Sequence, residues 1–506
     1  MDLVRLRVYS PSGYPLVFDP QEHVNRINLL DMDRQPYRDQ IVEKKTGEIY
    51  FLVPPGRYAI TAYLDVPGFG ANYLVADNGG PGYEGPADLN LNLECAISRV
   101  ALADRLASEY AAAGWQAGGS LARELAEAEA ALTRAAGAAD EGAKARLAMG
   151  ALRPAMRAGE SLALSHAEYL ITRQPPRPEF MFGCGGFYPE EYDGYFLKAM
   201  DLVTLPLYWN RFEPEDGKPG FDRVDALVAL AERHGLTPKG HPLSWYNNSL
   251  PAWIADKPLD GILARLRSRI REIVTHYRRR IKIYDVINEA HGWANDLRLS
   301  PEELRHVTRI AAEETRAADP DALLIVNACI VFGDFRAAGL NDHTETVLPM
   351  QTPYEYFRDL IREDVPFDRI GLQLYNPGRD MLELSLCLDR YASLGKPIHI
   401  TELGVPSDPN DDPHAFARNL DVDINGMFWY AGRWHGDWDE EKQADWAARF
   451  YTICYSKPAI EAVVWWSFRD THVFLPHSGL ERRDGTPKPA LERLIALRKE
   501  WGLGKG

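Results

Sequence analysis

Two glutamates stand at the ends of short apolar runs that have the composition of buried strands. Glu289 closes the stretch IKIYDVINE, and Glu402 lies near the end of the stretch PIHITELG. An unpaired carboxylate is expensive to bury, so each group is paired, solvated in a cleft or used in chemistry. Two facing carboxyl groups can share a bond cleavage, one giving a proton while the other attacks carbon or activates water. The structural alternative for either glutamate is that it satisfies a helix N-terminus or pairs with an arginine.

The elements around these glutamates predict how they are positioned. From about residue 179 to residue 506 the chain alternates strand-like runs with helical stretches such as FDRVDALVALAERHG. The candidate strands are EFMFGCGGF, DLVTLPLYW, TPKGHPLSW, IKIYDVINE, ALLIVNA, RIGLQLY, PIHITELG and AVVWWSF. Strand–helix units in this number, over about 320 residues, are typical of an α/β fold, the (β/α)₈ TIM barrel. Because Glu289 ends the fourth strand and Glu402 the seventh, we expect them to face each other across the barrel mouth.

Two shorter segments precede the barrel. Residues 1–92 are rich in Tyr, Val, Pro and Gly, and GEIYFLVPPGRYAITAYLDV has two β-like runs split by Pro-Pro-Gly, which predicts a small β-sandwich. Residues 93–178 are rich in alanine at helical spacing, with breaks expected near Gly118–Gly119, Gly137 and Pro154, and they end in the linker-like RQPPRP. These helices are expected to form a packed hairpin or spacer, or to support an oligomer.

The first segment is a candidate carbohydrate-binding module by analogy of fold alone. All twelve tryptophans lie at position 115 or later, so this segment has none to stack on a sugar, although its tyrosines can substitute. We therefore favour a structural or docking role for this segment over carbohydrate binding.

Composition opposes several classes of function. The chain has 57 Lys and Arg against 73 Asp and Glu, a net charge of −16, which opposes binding to nucleic acid or to an anionic membrane. Its five cysteines are scattered and odd in number, which is typical of neither a disulfide framework nor a zinc site. The start MDLVRLRVYS has no apolar signal region, so a cytoplasmic protein is expected, or a secreted one if a signal peptide has been removed.

No metal or other cofactor is expected. The stretch DVDING at 421–426 opens like an EF-hand calcium loop, but the twelfth position of that loop is Gly432, where the motif needs a glutamate. We interpret this stretch, and the acidic DPNDDP at 408–413, as solvated loops.

Over about residues 180–495 the sequence resembles family 10 of the glycoside hydrolases, the barrel xylanases. The motifs that carry the resemblance occur in chain order and are GHPLSWYNNSLPAWI, YDVINEA, GLQLY, IHITELGV, VVWWSFRD, QADW and DGTPKPALERLIAL. The resemblance implies a retaining hydrolase that cleaves β-1,4-xylosidic bonds in xylan or xylo-oligosaccharides by double displacement, with a β-linked carbohydrate as its partner. It also implies Glu289 as the general acid/base and Glu402 as the nucleophile. A raised pKa is then expected for Glu289, because the negative Glu402 would lie about 5 Å away.

Several side chains are implied as substrate contacts by their places in these motifs. His241 and Trp245 match the third-strand motif, and Gln373 matches the sixth-strand motif. A satisfied core histidine is the alternative interpretation of His241.

The eighth-strand motif implies a tryptophan platform for sugar. We expect Trp465 to be that platform and Trp466 to point outward, because neighbours on a strand face opposite sides. Asn288 can bond to the 2-hydroxyl of the reacting sugar. Asn327, at the end of the fifth strand, matches a family asparagine and is expected to support the site from behind.

The resemblance fails at three polar sugar contacts. The family has an asparagine after its second strand and a lysine three residues on, which match Leu205 and Tyr208, and a sixth-strand histidine, which matches Tyr375. Tyr208 and Tyr375 are therefore candidate substrate contacts of a changed kind, each with a single hydroxyl. The alternative function is an exo-acting or short-substrate β-glycosidase with altered glycone specificity. A carbohydrate-binding protein without catalysis is a further alternative, which the presence of both glutamates opposes.

Overall fold

The structure of the chain is a computed structural model that describes residues 2–18, 27–37, 41–185, 192, 194–247, 249–291, 294–333, 351–375, 378–409, 433–470 and 475–503. Within these ranges, the N-terminal segment forms two β-sheets. Its strands are β1 (Leu3–Arg7), β2 (Ile27–Leu30), β3 (Ile41–Lys45), β4 (Glu48–Leu52), β5 (Ala59–Val66), β6 (Gly70–Ala76) and β7 (Ala87–Asn90). One sheet has the order β3–β4–β1–β7 and the other the order β2–β5–β6. Burial alternates along β1 and β4, which is the pattern of strands with one covered face.

Three helices follow these sheets, namely α1 (Leu91–Ala112), α2 (Gly119–Ala136) and α3 (Glu141–Arg173). The breaks predicted near Gly118–Gly119 and Gly137 coincide with helix ends. The break predicted at Pro154 is wrong, because α3 continues through it. A proline inside a helix costs roughly 3 kcal/mol, and α3 offsets this by burying Leu152 and Met156 on either side.

The remainder of the described chain folds into a closed barrel of eight parallel strands. They are β8 (Met181–Gly185), β9 (Leu202–Pro206), β10 (Thr237–His241), β11 (Ile283–Asn288), β12 (Leu323–Ala328), β13 (Arg369–Tyr375), β14 (Ile398–Gly404) and β15 (Ile460–Trp466). Each strand pairs with the next along the chain, and β15 pairs with β8 to close the ring. Every one of the eight strands predicted from the sequence is confirmed, and so is the (β/α)₈ class.

Helices follow the barrel strands in the described part of the chain. They are α4 (Gly194–Ala199), α5 (Trp209–Phe212), α6 (Phe221–Arg233), α7 (Ala252–Ala255), α8 (Leu259–His276), α9 (Pro301–Ala318), α10 (Pro353–Arg362), α11 (Met381–Ala392), α12 (Glu440–Ser456) and α13 (Pro489–Glu500). Local sequence sets some of their starts: α9 begins with a capping box of Ser300 and Glu303, followed by Pro301.

The barrel interior is apolar at one level and polar at the next. Leu202, Ile283, Ile325 and Val464 come from four strands and pack together inside the ring. Above them the parallel register places Asn288 opposite Asn327 and Gln373 opposite Glu402. Polar side chains from four consecutive strands are therefore gathered at the carboxyl ends, which is where barrel enzymes carry their active sites.

Some further expectations can be compared with the described ranges. All five cysteines are buried thiols. Among the described residues there is no group of three or more His, Cys, Asp and Glu side chains arranged to hold a metal ion. The calcium-like stretch 421–426 lies outside the described residues, as does most of 408–413. No helix in the described part of the chain is long and apolar enough to cross a membrane.

Candidate active site

A single amide group joins the two glutamates singled out by the sequence. The Gln373 Nε2 donates to Oε1 of Glu289 at 2.7 Å and to Oε1 of Glu402 at 2.9 Å. Because both oxygens bond to one nitrogen at these distances, the two carboxyl groups lie closer together than the roughly 6.5–9.5 Å found in inverting glycosidases. Both residues are 6% exposed, so the pair is buried at the bottom of the barrel mouth.

The backbone at Glu289 has an uncommon conformation. Its φ is 53°, in the left-handed region that residues with a Cβ seldom occupy. The Glu289 N–H donates to the Asn327 carbonyl at 2.9 Å, directly after β11 ends at Asn288. This bond to the neighbouring strand holds the turn that aims the carboxyl across the barrel mouth.

Three donors converge on Glu402. Asn327 Nδ2 reaches its Oε1 at 3.0 Å, and the Tyr375 hydroxyl donates to its Oε2 at 2.5 Å, in addition to the Gln373 amide. Thr401 donates to the Asn327 oxygen, which turns the Asn327 amide nitrogen toward Glu402. Asn327 also donates to Asn288 Oδ1 at 2.7 Å, so it supports both neighbours from behind.

A buried row of charges approaches Glu402 from the other side of the barrel. Lys239 Nζ lies 2.8 Å from Asp285 Oδ2, and the same oxygen lies 2.7 Å from His241 Nδ1. The other ring nitrogen of His241 lies 3.9 Å from Glu402 Oε1. Burial acts to raise the pKa of Asp285, but Lys239 and His241 outweigh it, and the net shift is downward. An ionised Asp285 therefore orients the imidazole that faces Glu402.

Burial raises the pKa of the Glu402 carboxyl to about 7, and the nearby Glu289 acts in the same direction. The charge on His241, the Tyr375 hydrogen bond and the charge on Lys239 act in the opposite direction. Two carboxyl groups this close titrate as one unit, so the pair is expected to hold one shared proton near neutral pH.

Aromatic rings line the part of the mouth formed by β9, β10 and β15. The ring centroid of Tyr208 lies 5.7 Å from that of His241 and 5.8 Å from that of Trp245. Trp466 lies 5.8 Å from the His241 ring on the other side. Gly185 on β8 makes room for it, because a Cβ there would lie 2.1 Å from the Trp466 ring. Flat rings beside a carboxyl pair suit the apolar faces of pyranose sugars.

The expectation that Trp465 forms the sugar platform is corrected by its position. Trp465 is fully buried, and its indole N–H donates to the Ser478 carbonyl at 2.8 Å. Val464 belongs to the interior cluster, and side chains two apart on a strand share a face. Trp466 therefore faces the mouth while Trp465 packs outward.

Nine of the ten predicted site residues are gathered around the barrel mouth, and Trp465 is the one that is not. Leu205, which matches a family asparagine, is fully buried in β9. Sequence reasoning missed Lys239, Asp285 and Thr401. The available signal for the first two was a charged residue in the middle of each of two consecutive strands, TPKGH and IYDVIN.

Comparison with known proteins adds an independent finding. The model of glycosyl hydrolase family 10 matches residues 194–496. Endo-1,4-beta-xylanase B of Thermotoga neapolitana is 28% identical over 302 residues, covering 57% of this chain and 75% of the relative. An endo-1,4-beta-xylanase of Geobacillus stearothermophilus is 26% identical over 316 residues, covering 57% of this chain and 86% of the relative. The crystal structure of native xylanase 10B from Thermotoga maritima covers 66% of this chain and 98% of its own, with 22% identity and a TM-score of 0.49.

Proposed function

The chain belongs to glycosyl hydrolase family 10, and from this premise we propose that it hydrolyses β-1,4-xylosidic bonds in xylan or xylo-oligosaccharides with retention of configuration. The observation that carries the retaining mechanism is the Gln373 amide that bridges Glu289 and Glu402. That short separation leaves no room for a water between sugar and base, which an inverting enzyme requires.

The first step forms a glycosyl–enzyme ester. The three donors around Glu402 favour its ionised form, so we assign the shared proton of the pair to Glu289. Glu402 attacks the anomeric carbon through a carboxylate oxygen while the bond to the leaving oxygen breaks. Glu289 gives its proton to that oxygen, which departs as a neutral hydroxyl.

The second step releases the sugar. Glu289, now a carboxylate, takes a proton from a water molecule, and the water oxygen attacks the anomeric carbon. The ester bond to Glu402 breaks and returns the enzyme to its starting state. Glu289 must therefore change its protonation twice in each cycle, and its closeness to Glu402 lets the pair exchange one proton during that cycle.

The remaining side chains bind and orient the sugar. The Asn288 oxygen accepts from Asn327, so its amide nitrogen can donate to a sugar hydroxyl beside the reacting carbon. Trp245, Trp466 and Tyr208 supply the aromatic surface, and the Asp285-bound His241 lies between them. Asn327 and Gln373 position the two carboxyl groups.

A second candidate function is supported by the tyrosines at the site. Tyr208 and Tyr375 stand where the family pattern has a lysine and a histidine, and Leu205 is buried where the pattern has an asparagine. A hydrogen bond from a charged donor is worth about 1.5–3 kcal/mol, so the loss of the lysine at position 208, together with the loss of the asparagine amide at position 205, weakens binding of an unsubstituted xylose unit. This favours action on short, decorated or non-xylose β-linked substrates over fast cleavage of plain xylan.

Product analysis tests both candidates at once. We expect proton NMR of xylohexaose hydrolysis to show the β-anomer as the first product, before mutarotation. An initial α-anomer would contradict the retaining mechanism. Xylobiose and xylotriose as early products identify endo-cleavage, whereas single-sugar release identifies the exo-acting alternative.

The pH dependence of Tyr375→Phe gives a further prediction. The hydroxyl of Tyr375 lowers the pKa of Glu402, so its removal raises that pKa. Because Glu402 must be ionised to attack, the acidic limb of kcat/KM should move to higher pH, by about one unit for a bond of about 1.4 kcal/mol. Activity should therefore fall more at pH 6 than at pH 8, as measured by initial rates across the pH range.

Tyr356→Phe is the matched control for this variant. It removes a buried hydroxyl that bonds to Thr308 on the barrel exterior. We expect the pH profile of Tyr356→Phe to match that of the wild type. A wild-type pH profile in Tyr375→Phe would exclude a role for Tyr375 in holding Glu402. In Tyr375→His the ring is ionisable, so its profile should differ from that of Tyr375→Phe.

A further inference from the structure

The sheets and helices that precede the barrel contact described residues that follow three consecutive strands, β12, β13 and β14. After β12, the Arg34 carbonyl packs on Gly333 so closely that a Cβ there would lie 2.2 Å from the oxygen. Thr352, which begins α10, donates its hydroxyl to the Gln35 side chain. After β13, the Tyr73 N–H donates to the Gly378 carbonyl at 3.2 Å.

The third contact follows β14, the strand that carries Glu402. Gly70 has a φ of +129°, and a Cβ there would lie 1.9 Å from the Arg433 carbonyl oxygen. The His435 N–H donates to the Phe69 carbonyl at 2.7 Å, and Arg433 pairs with Asp65 at 3.0 Å. The turn between β5 and β6 therefore fits backbone to backbone against this loop, which only glycine at position 70 permits.

One buried carboxylate on α3 ties the last two loops together. Glu160 is 1% exposed, and its Oε1 accepts from the Met381 N–H at 3.1 Å and from the Trp434 indole at 2.9 Å. Its Oε2 lies 2.6 Å from His435 Nε2. Met381 begins the helix after β13, and Trp434 and His435 lie shortly before α12. The start of α11, six residues beyond Tyr375, and the approach to α12 are thus held on the same side chain.

A second buried charged group, Arg99, holds the start of the helix after β13. Arg99 on α1 donates to Asp380 Oδ1 at 2.9 Å, and both side chains are almost completely buried. Asp380 is also the N-cap of α11, where the same oxygen accepts from the backbone of Leu382 and Glu383. A buried ion pair contributes little net stability, but removing one partner leaves an uncompensated buried charge, so the two side chains are costly to separate. This pair holds the chain five residues beyond Tyr375.

We propose that Arg99 and Glu160 form a clamp, through which the N-terminal sheets and helices position Tyr375, and through its hydrogen bond Glu402, for catalysis. Arg99 and Glu160 are positioning residues, since they act through Asp380 and Met381 at the start of α11. The inference rests on the proposed function for its catalytic consequence, but the clamp itself is a structural relation that can be measured without substrate.

The placement of aromatic residues supports a clamp over a separate sugar-binding module. Tyr63, Phe69 and Tyr73 are buried, the last of them under the Arg379 guanidinium at 4.0 Å. Rings in these positions cannot stack on a sugar. These N-terminal aromatic rings pack instead against the barrel, at Gly378 and His435.

The geometry predicts which kinetic constant the clamp controls. The aromatic wall of Tyr208, Trp245 and Trp466 comes from strands β9, β10 and β15, whose following segments make none of the contacts described above. Tyr375, which donates to Glu402, ends β13, and the clamped Asp380 follows it by five residues. Loosening the clamp should therefore lower kcat, since small misplacements of a reacting group are costly, while KM changes little.

The test uses the full chain with Arg99→Ala, Glu160→Gln and the rescue variant Arg99→Lys. We expect Arg99→Ala and Glu160→Gln to lower kcat on xylohexaose by about 10- to 100-fold with KM within about twofold, and Arg99→Lys to recover much of the loss. Hydrogen–deuterium exchange should become faster in peptides covering 378–392 and 433–439. Glu314→Gln is the matched control, since Glu314 is a mostly buried carboxylate held by Arg267 and Arg271 away from the mouth.

The outcomes separate the clamp from the proposed function. If the wild type does not hydrolyse β-xylosidic bonds, the proposed function fails, and the exchange measurement still decides the clamp. Unchanged exchange in Arg99→Ala and Glu160→Gln, relative to Glu314→Gln, overturns the clamp for any substrate. Faster exchange with wild-type kcat overturns its catalytic role, and so does an equal loss of kcat in the Glu314→Gln control.

Discussion

Replacing Glu402 by alanine is expected to abolish turnover of every substrate. Without the carboxylate no glycosyl–enzyme ester can form, and a good leaving group does not compensate for a missing nucleophile. We expect kcat/KM to fall by at least about 10⁴-fold, the range seen when nucleophiles are removed elsewhere. Initial rates on xylohexaose and on an aryl β-xylobioside, each compared with the wild type, measure this loss.

Glu461→Ala is the control for removing a carboxylate from a barrel strand. Glu461 lies near the start of β15, at the opposite end of the barrel, where it pairs with Arg369. We expect near-normal kcat/KM in Glu461→Ala. We expect a loss of thermal stability in both Glu461→Ala and Glu402→Ala. Activity of Glu402→Ala close to the wild type, in a protein that unfolds cooperatively, would remove Glu402 from the proposed mechanism.

Replacing Glu289 by alanine is expected to divide substrates by their leaving groups. Xylo-oligosaccharides need a proton on the departing oxygen, so their kcat/KM should fall by about 10²- to 10⁴-fold. An aryl β-xylobioside with an acidic phenol leaves without that proton, so its first step should be nearly spared. Deglycosylation then becomes slow, because no base activates the water, and a burst of phenol should precede a slow steady state.

Added azide provides the decisive measurement for this variant. Azide attacks the glycosyl–enzyme ester without a general base, so it should restore steady-state turnover and give a β-glycosyl azide. Glu289→Gln tests whether loss of the proton alone has the same effect in a side chain of equal size. Equal losses on both classes of substrate, with no response to azide, would show that Glu289 is not the acid/base.

The local pattern of the sequence was sufficient for the barrel. Every predicted strand is present. Runs such as LLIVNA and IEAVVWW have the length and the Val and Ile content of a strand buried on both faces. The same pattern brought Glu289 and Glu402 to one end of the barrel, since parallel strands share a carboxyl edge. Asn327, Gln373 and Tyr375 were predicted as substrate contacts or supporting residues from strand-end motifs of the same kind, and the structure places all three in hydrogen bonds to Glu402.

Where the sequence pattern was misleading, the cause was a choice that depends on contacts between strands. Trp465 and Trp466 are adjacent and of one type, so the face that each occupies depends on where β15 enters the ring. Lys239 and Asp285 appear as isolated charges in the sequence and become a pair only when β10 lies beside β11. Pro154 predicted a break that the packing of α3 overrides.

The sequence by itself determined the fold class of the barrel, the family and the pair of glutamates, because these depend on local periodicity and on motifs that stand at strand ends. Only the tertiary structure decided the distance between the carboxyl groups, the raised pKa of Glu402 and the choice of Trp466. It also revealed the contacts of the N-terminal segments with the catalytic end. Arg99 and Asp380 are 281 residues apart in the chain, and Glu160 and His435 are 275 apart. No local pattern encodes such pairs, because each partner satisfies its charge only after the sheets, helices and barrel have packed together.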